Sequence, residues 1–352
     1  MDAQIAVLGA GAWGTAIAKV IAEKQNKVVL WCYEKETANA IRTKHRNPFL
    51  PDVELPDGLD ATCDIEEAAE GREILIFASP SMYLLETVKR ILAVNSIREG
   101  KTLIAILTKG FLPTTKGPRL ILETLEDYLP GFYQKSLVYI AGPSHAEEVS
   151  SGKITGLITA SENGKNAIRF RELLKNQRLL VYTSLDVRGV QVAAAAKNVI
   201  AIAFGMLDAI KMSGNADMFG DGTESLLLAA GLNEIQTLGM ALGATHPETF
   251  TSISGIGDLD VTCRSVLGRN RRFGREIIEK KILEPYKNLE DLLARIGELG
   301  YLPEGVAAAK YVNILTEKHR LKMPVSSGMH RILNREIEPL DFFESFLNGL
   351  GH

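Results

Sequence analysis

The sequence predicts an α/β chain in two parts: a doubly wound sheet flanked by helices, then an all-α second domain. Three observations predict it. Short runs rich in Val, Ile and Leu recur through the first half without polar alternation, as expected for parallel strands buried on both faces. Helix-spaced apolar residues lie between them, as at Ala16, Ile17, Val20 and Ile21, giving the βαβ pattern of a parallel sheet. From about Val187 onward β-branched runs become scarce and long helical patterns take over.

Strands are expected at 4–8, 27–32, 73–78, 102–108 and 137–141, with two more at 154–160 and 178–182. In the second half the apolar spacing predicts helices over 190–211, 223–242, 271–281, 289–296, 304–318 and 340–347. The pattern changes near 184–189, which divides the chain into a dinucleotide-binding domain, 1–186, and a helical substrate and catalytic domain, 187–352. About two domains is also what 352 residues suggest at roughly 150 per domain. No internal repeat and no low-complexity segment interrupts this plan.

Composition excludes several classes. With 46% hydrophobic and 24% charged residues the chain is ordinary globular protein, too apolar and too nearly neutral for disorder as its main state. A net charge of −3 argues against nucleic-acid binding by a global positive field. Cys32, Cys63 and Cys263 lie far apart with no C-x-x-C, so neither a disulfide framework nor a thiolate metal site is indicated. The start, MDAQIAVLG, has no basic stretch before its apolar run, unlike a signal peptide. No membrane span is expected, since no run of about 18 apolar residues occurs. A reducing, cytoplasmic setting follows.

Gly9-Ala10-Gly11-Ala12-Trp13-Gly14 matches G-x-G-x-x-G, follows the first expected strand and opens a helix. Those are the contexts in which the motif marks a Rossmann-type dinucleotide site. Gly9 permits the tight turn, Gly11 lets the backbone approach a pyrophosphate, and Gly14 lets the helix pack on its strand, with the helix N-terminus facing the anion. A strand–helix turn without a ligand would use the same glycines. Trp13 reads either as a packing residue or as a wall against the dinucleotide. Glu34 stands 20 residues after Gly14, where a carboxylate bonds the ribose 2′-hydroxyl of NAD and repels the 2′-phosphate of NADP. A plain surface charge is the alternative, and Lys35 beside it weakens the case for NAD alone.

The stretch 190–207 is apolar around most of its helical circumference except at Lys197 and Asn198. Such a helix is expected to be buried. A buried ammonium is costly unless paired, and desolvation lowers a lysine pKa, which is how an acid/base lysine arises. A stem that snorkels to the surface is the other reading. Lys109-Gly110 and Gly142-Pro143-Ser144-His145-Ala146 each close an expected strand, at the end where ligands sit in doubly wound sheets. Ser144 or His145 could instead cap the next helix. Asp258 and Thr262 are four apart and would share a helix face. Arg269 and Asn270 sit where a helix begins, a favourable place for an anion. Among Arg264, Arg269, Arg271, Arg272 and Arg275, most are expected to be a solvated basic face, with Arg269 alone favoured for a ligand.

Together these residues resemble the NAD(P)-dependent sn-glycerol-3-phosphate dehydrogenases of the soluble, bacterial type. The matching stretches are GAGAWGTAIA at 9–18, NPFLP at 47–51, SPSMY at 79–83, TKGF at 108–111 and AGPSHAEEV at 141–149. AAKNVIAIAFG at 195–205, SGIGDLDVTC at 254–263, GRNRRFG at 268–274 and PEG at 303–305 complete the set. The resemblance implies Lys197 as the catalytic proton acceptor and donor, also touching substrate. It implies substrate contacts at Lys109, Gly142, Ser144, Asp258, Thr262, Gly268, Arg269 and Asn270. It implies cofactor contacts at Gly9, Gly11, Trp13, Gly14, Tyr33, Glu34, Lys109, Ala146, Arg269, Leu302 and Glu304. NAD or NADP, no metal, a small phosphorylated substrate and a possible homodimer belong to the same expectation. Three positions depart from the pattern. Gly268 stands where serine is usual, Gly222 replaces the Asn of a G-D-N, and Tyr33 replaces an arginine able to meet a 2′-phosphate.

The reaction so implied interconverts dihydroxyacetone phosphate and sn-glycerol 3-phosphate, supplying glycerophospholipid synthesis. A related two-domain NAD(P)-dependent hydroxyacid dehydrogenase is the alternative enzyme. A non-catalytic NAD(H)-binding module is the alternative of another class, and it gives no reason for Lys197 inside an apolar helix.

Overall fold

A computed structural model describes residues 4–215 and 218–349. The chain forms two compact units: Met1–Leu112 with Arg119–Val187, and Pro113–Pro118 with Arg188–His352.

The described residues form ten strands: β1 Gln4–Leu8, β2 Lys27–Trp31, β3 Leu59–Thr62, β4 Ile74–Phe77 and β5 Leu103–Ile106, then β6 Phe111–Thr114, β7 Gly117–Leu120, β8 Val138–Ala141, β9 Thr155–Ala160 and β10 Leu179–Ser184. Eight form one sheet in the order β10-β9-β8-β5-β4-β1-β2-β3, and β6 and β7 pair separately. Leu8 is in register with Trp31 of β2 on one side and Phe77 of β4 on the other. Strand order reverses at β1, so a crevice opens at the carboxyl ends of β1 and β4, the usual ligand position in such sheets. β4 is buried at all four positions, which explains its unalternating sequence.

The sheet is not wholly parallel, as the sequence suggested. β8 and β9 run antiparallel, with Tyr139 opposite Ala160. The connection between them holds only the five-residue helix Ala146–Ser150, about 7.5 Å long at 1.5 Å per residue, too short to carry the chain back along the sheet. β9 and β10 are parallel again, joined by helix Gly164–Leu174. Lys24 fastens the end of that helix by donating to the carbonyls of Glu172, Leu173 and Lys175 at 2.6, 2.9 and 3.0 Å. The pattern reading missed β3, whose Asp60 is exposed, and the β6–β7 pair, which contains Pro113 and Pro118.

The second unit is helical around Val187–Ile210. Every residue from Gly189 to Ile210 is buried except the half-buried Asp208. The stretch Val187–Ser213 has the length and hydropathy to cross a membrane, yet its apolar window is wholly inside the protein. Helix Pro324–Leu333, which the sequence reading also missed, starts on Pro324. Buried Glu234 caps it by accepting from the Val325 and Ser326 amides and the Ser326 hydroxyl, the last two at 2.9 and 2.7 Å. Burial pushes the Glu234 carboxyl up to about 7.

Helix Arg269–Glu279 crosses the long helix backbone to backbone. A Cβ on Gly205 would lie 1.9 Å from the Arg271 carbonyl oxygen, and one on Gly274 would lie 2.0 Å from that of Ile202. Glycine is therefore required at both positions. In an open helix Gly→Ala stabilises by roughly 0.5–1 kcal/mol. Gly222, whose Cβ would meet nothing within 4 Å, should show that gain. Gly205→Ala should instead lower stability by about 1–3 kcal/mol or more through overpacking. Urea midpoints of the two variants should move in opposite directions; an unchanged midpoint for Gly205→Ala would contradict the close crossing.

Candidate active site

The first unit presents a glycine turn at the carboxyl end of β1. Gly9 has φ +130, and a Cβ there would sit 2.7 Å from the Ser79 nitrogen. A Cβ on Gly14 would lie 2.0 Å from the Gly9 carbonyl oxygen, whereas one on Gly11 would meet nothing within 4 Å. Two glycines thus close the turn, and the third leaves open space in front of helix α1, Ala12–Ala22. Gly11 is the N-cap and provides no side-chain cap, and no acidic residue lies in the first turn. Uncapped amides beside an open glycine form a cradle for an anion. The residues present therefore fit a dinucleotide pyrophosphate.

Asn47 braces this turn, a role sequence reasoning missed. It is fully buried, and its Nδ2 donates to the Ala10 carbonyl at 2.9 Å and to Thr15 Oγ1 at 2.6 Å. Its Oδ1 accepts the Phe49 amide at 2.9 Å. The only sequence signal was that Asn47 opens the NPFLP stretch.

Trp13 is half-buried and packs against the core of the unit. The Gly9 amide bonds the Trp31 carbonyl at 3.2 Å, tying the turn to the end of β2. Tyr33, 78% exposed, and exposed Glu34 follow directly. Glu34 is the N-cap of helix Lys35–Lys44 but makes no side-chain cap bond there. Lys109 is half-buried just past β5. Gly142 has φ +131, and its Cβ would meet the Gly156 oxygen at 2.8 Å. The capping reading for Ser144 and His145 is corrected. His145 occupies the N-cap of Ala146–Ser150 without a side-chain cap bond, and the Ser144 hydroxyl donates back to the Gly142 carbonyl at 3.2 Å.

In the second unit Lys197 is 4% exposed and does not snorkel. It is also not an isolated amine. Its ammonium pairs with the Asp258 carboxylate, donates to Thr262 Oγ1 at 2.6 Å, and lies 3.4 Å from the Asp258 carbonyl. Asp258 is 1% exposed. The buried charge is thus compensated, which a lone desolvated lysine would not be. Asp258 begins helix Asp258–Arg264, directly after the π-turn Ile253–Gly257. Gly255 permits that turn, since a Cβ there would lie 2.0 Å from the Phe250 oxygen.

Neighbouring Asn198 leads to a second polar chain. Asn270 Nδ2 donates to Asn198 Oδ1 at 2.9 Å, and Asn270 Oδ1 accepts the Gly305 amide at 2.9 Å. The Asn270 side chain therefore holds three helices together, which limits the substrate role expected of it to a remaining N–H or its backbone. Gly305 is needed here, because its Cβ would lie 2.6 Å from the Asn198 oxygen. Gly268 is the buried N-cap of helix Arg269–Glu279. Leu302 and Glu304 are half-buried at the start of helix Glu304–His319.

The arginines separate by partner. Arg264 pairs with Asp260 at 2.8 Å, Arg271 with Asp208 at 2.6 Å, Arg272 with Glu276 at 3.0 Å and Arg275 with Glu279 at 2.6 Å. Arg269 is exposed in the first turn of its helix and, among the described residues, pairs with no carboxylate.

Comparison with known proteins gives a consistent result. The family described as NAD-dependent glycerol-3-phosphate dehydrogenase N-terminus matches residues 4–167, and its C-terminus counterpart matches 186–344. A glycerol-3-phosphate dehydrogenase [NAD(P)+] of Treponema denticola is 55% identical, over 99% of both chains. That of Treponema pallidum strain Nichols is 51% identical, over 98% of this chain and 99% of its own. The crystal structure of glycerol-3-phosphate dehydrogenase from Coxiella burnetii superposes with a TM-score of 0.82 at 32% identity, covering 97% and 98% of the two chains. A ketopantoate reductase from Ralstonia eutropha shares the fold at TM-score 0.57 and 17% identity.

Asn47→Ala should leave the Ala10 carbonyl without its buried partner, at about 1–3 kcal/mol. KM for the reduced dinucleotide should rise about tenfold, with kcat and KM for the second substrate little changed. An unchanged dinucleotide KM would show that the brace does not shape the cradle.

Proposed function

We propose how the residues of this site divide the work, from the premise that the chain belongs to the NAD-dependent glycerol-3-phosphate dehydrogenase family. It is an NAD(P)-dependent oxidoreductase, a glycerol-3-phosphate dehydrogenase. We place the cofactor domain at 1–186 and the catalytic domain at 187–352. The first supplies the glycine turn, Trp13, Tyr33, Glu34, Lys109 and Ala146 to the dinucleotide, and Lys109, Gly142 and Ser144 to the substrate. The second supplies Lys197, Asp258, Thr262, Gly268, Arg269 and Asn270 to the substrate, and Arg269, Leu302 and Glu304 to the dinucleotide.

The observation that carries this reading is the buried Lys197–Asp258–Thr262 cluster. When bound, the nicotinamide provides or accepts the hydride at C2. Lys197, as an ammonium, donates a proton to the oxygen that becomes the C2 hydroxyl, and in the reverse direction accepts it. Thr262 and Asp258 hold the amine in one orientation, so little reorganisation accompanies charge development at that oxygen. Arg269, with the amides at its helix N-terminus, takes the phosphate. Phosphate binding remote from C2 then places the reacting carbon. Asp258 accompanies the lysine through the cycle and balances its charge.

Exposed Tyr33 and Glu34 at the end of β2 favour NADH over NADPH, because a carboxylate there accepts from a 2′-hydroxyl and repels a 2′-phosphate. The product feeds glycerophospholipid synthesis, and we place the enzyme in the cytoplasm as a homodimer. The hydroxyacid dehydrogenase reading rests on fold alone, which does not carry function.

Lys197→Ala should lower kcat by roughly 10²–10⁴-fold, the range for a positioned acid/base. Near-wild-type turnover would remove Lys197 from the chemistry. Arg269→Ala should raise KM for dihydroxyacetone phosphate at least about tenfold, the loss of one charge-assisted contact; an unmoved KM would place the phosphate elsewhere. Initial rates with NADH and NADPH in parallel should favour NADH. Glu34→Ala should shift that ratio toward NADPH by about tenfold, roughly one hydrogen bond to a charged group. A ratio unaffected by Glu34→Ala would exclude its ribose role.

A further inference from the structure

Helix Arg269–Glu279 is fastened to the segment leading into helix Glu304–His319 by more than the Asn270–Gly305 bond. The Tyr301 hydroxyl donates to the Glu276 carboxylate. The Arg272 guanidinium lies 4.3 Å over the Tyr301 ring, while its Nε donates to Glu276 at 3.0 Å. Lys280 adds a fourth member, donating to Glu276 at 2.9 Å. Glu276 is buried, which would raise its carboxyl, but the bonds from Tyr301, Lys280 and Arg272 bring it down to about 2. It is therefore a permanent anion at neutral pH, and Tyr301 is held at both its face and its hydroxyl.

None of these residues has a place in the chemistry above. Their positions in the chain are nevertheless informative. Tyr301 directly precedes Leu302 and lies three residues before Glu304, the two late cofactor contacts. Arg272 lies three residues after Arg269, the phosphate contact, which puts it on the same side of the helix one turn on. We propose that Tyr301 is a positioning residue: with Glu276 and Arg272 it clamps the cofactor-contacting segment 302–304 to the phosphate-holding helix. Binding of dinucleotide to one side of the clamp then orders the other side for the substrate phosphate. Each ligand tightens the other, because the first bears the cost of ordering a shared rigid piece. Reciprocity is required of any such coupling. The Asn270–Gly305 bond sets the base of the piece, and the Tyr301 clamp stops the segment from turning about it.

This inference rests on the roles proposed for Arg269, Leu302 and Glu304, and its test separates the two. NADH binding to the full-length protein is measured by fluorescence with and without saturating sn-glycerol 3-phosphate, a pair that cannot react because both are reduced. In the wild type the second ligand should tighten the first by about fivefold or more, the lower end of usual coupling. Tyr301→Phe keeps the ring under Arg272 but removes the hydroxyl from Glu276. It should bring the coupling factor down toward about one, with NADH affinity alone and turnover at saturation close to wild type. Glu276→Gln should reduce the factor in the same direction. A wild-type factor of one overturns the proposal. So does a wild-type factor retained in both variants, even if their melting temperatures fall, since that is a structural role only. Glu304→Ala and Arg269→Ala serve as controls. If neither weakens its own ligand, the site reading itself fails. If both do and Tyr301→Phe keeps the wild-type factor, only the clamp is wrong.

Discussion

The buried pair of Lys197 and Asp258 is the constraint around which the second unit is arranged. An ammonium inside an apolar helix cannot be left unpaired, since an uncompensated buried charge costs several kcal/mol. The partner must arrive from another element, because the neighbours of Lys197 on its own helix are almost all alanine, valine and isoleucine. Asp258 arrives at the start of a short helix, immediately after a π-turn that Gly255 permits. Such turns often mark functional sites. Replacing the pair with apolar residues of similar volume is often neutral or stabilising. Stability alone therefore does not account for the pair, in keeping with the proton transfer proposed for Lys197.

Glycines set the remaining geometry. Gly205 and Gly274 bring helix Arg269–Glu279 into backbone contact with the lysine helix, and Gly305 brings in a third. At that separation the Asn198, Asn270 and Gly305 polar groups satisfy one another. The Asn270 side chain is thereby occupied with holding helices, while Arg269 beside it is exposed. Four of the five nearby arginines neutralise local carboxylates. A chain of nearly neutral net charge can present a local cation to a small anion in this way, without a broad basic face.

Much of the first unit was legible in the sequence because its physics is local. Strands buried on both faces must be unalternating runs, and β1, β2, β4, β5 and β8 are. The turn glycines at 9, 11 and 14 announce a backbone that allows no Cβ at two positions and needs open space at the third. β3 escaped because an edge strand carries exposed residues such as Asp60. The reversal of β9 escaped because strand direction depends on the length of a connecting helix, not on strand composition. Asn47 escaped because nothing in its own segment shows that its amide reaches a carbonyl 37 residues earlier.

The two-part plan, the glycine turn after β1 and the anomaly of Lys197 in an apolar helix are all legible along the chain. Each is a statement about residues close in the chain, where periodicity and backbone sterics act. What that lysine faces, and the use of the Asn270 side chain to join helices, were settled by packing. Those outcomes depend on charges and amides brought together across 61 to 72 residues of chain. Burial makes such groups seek partners, but the sequence does not say which partner packing will bring within reach.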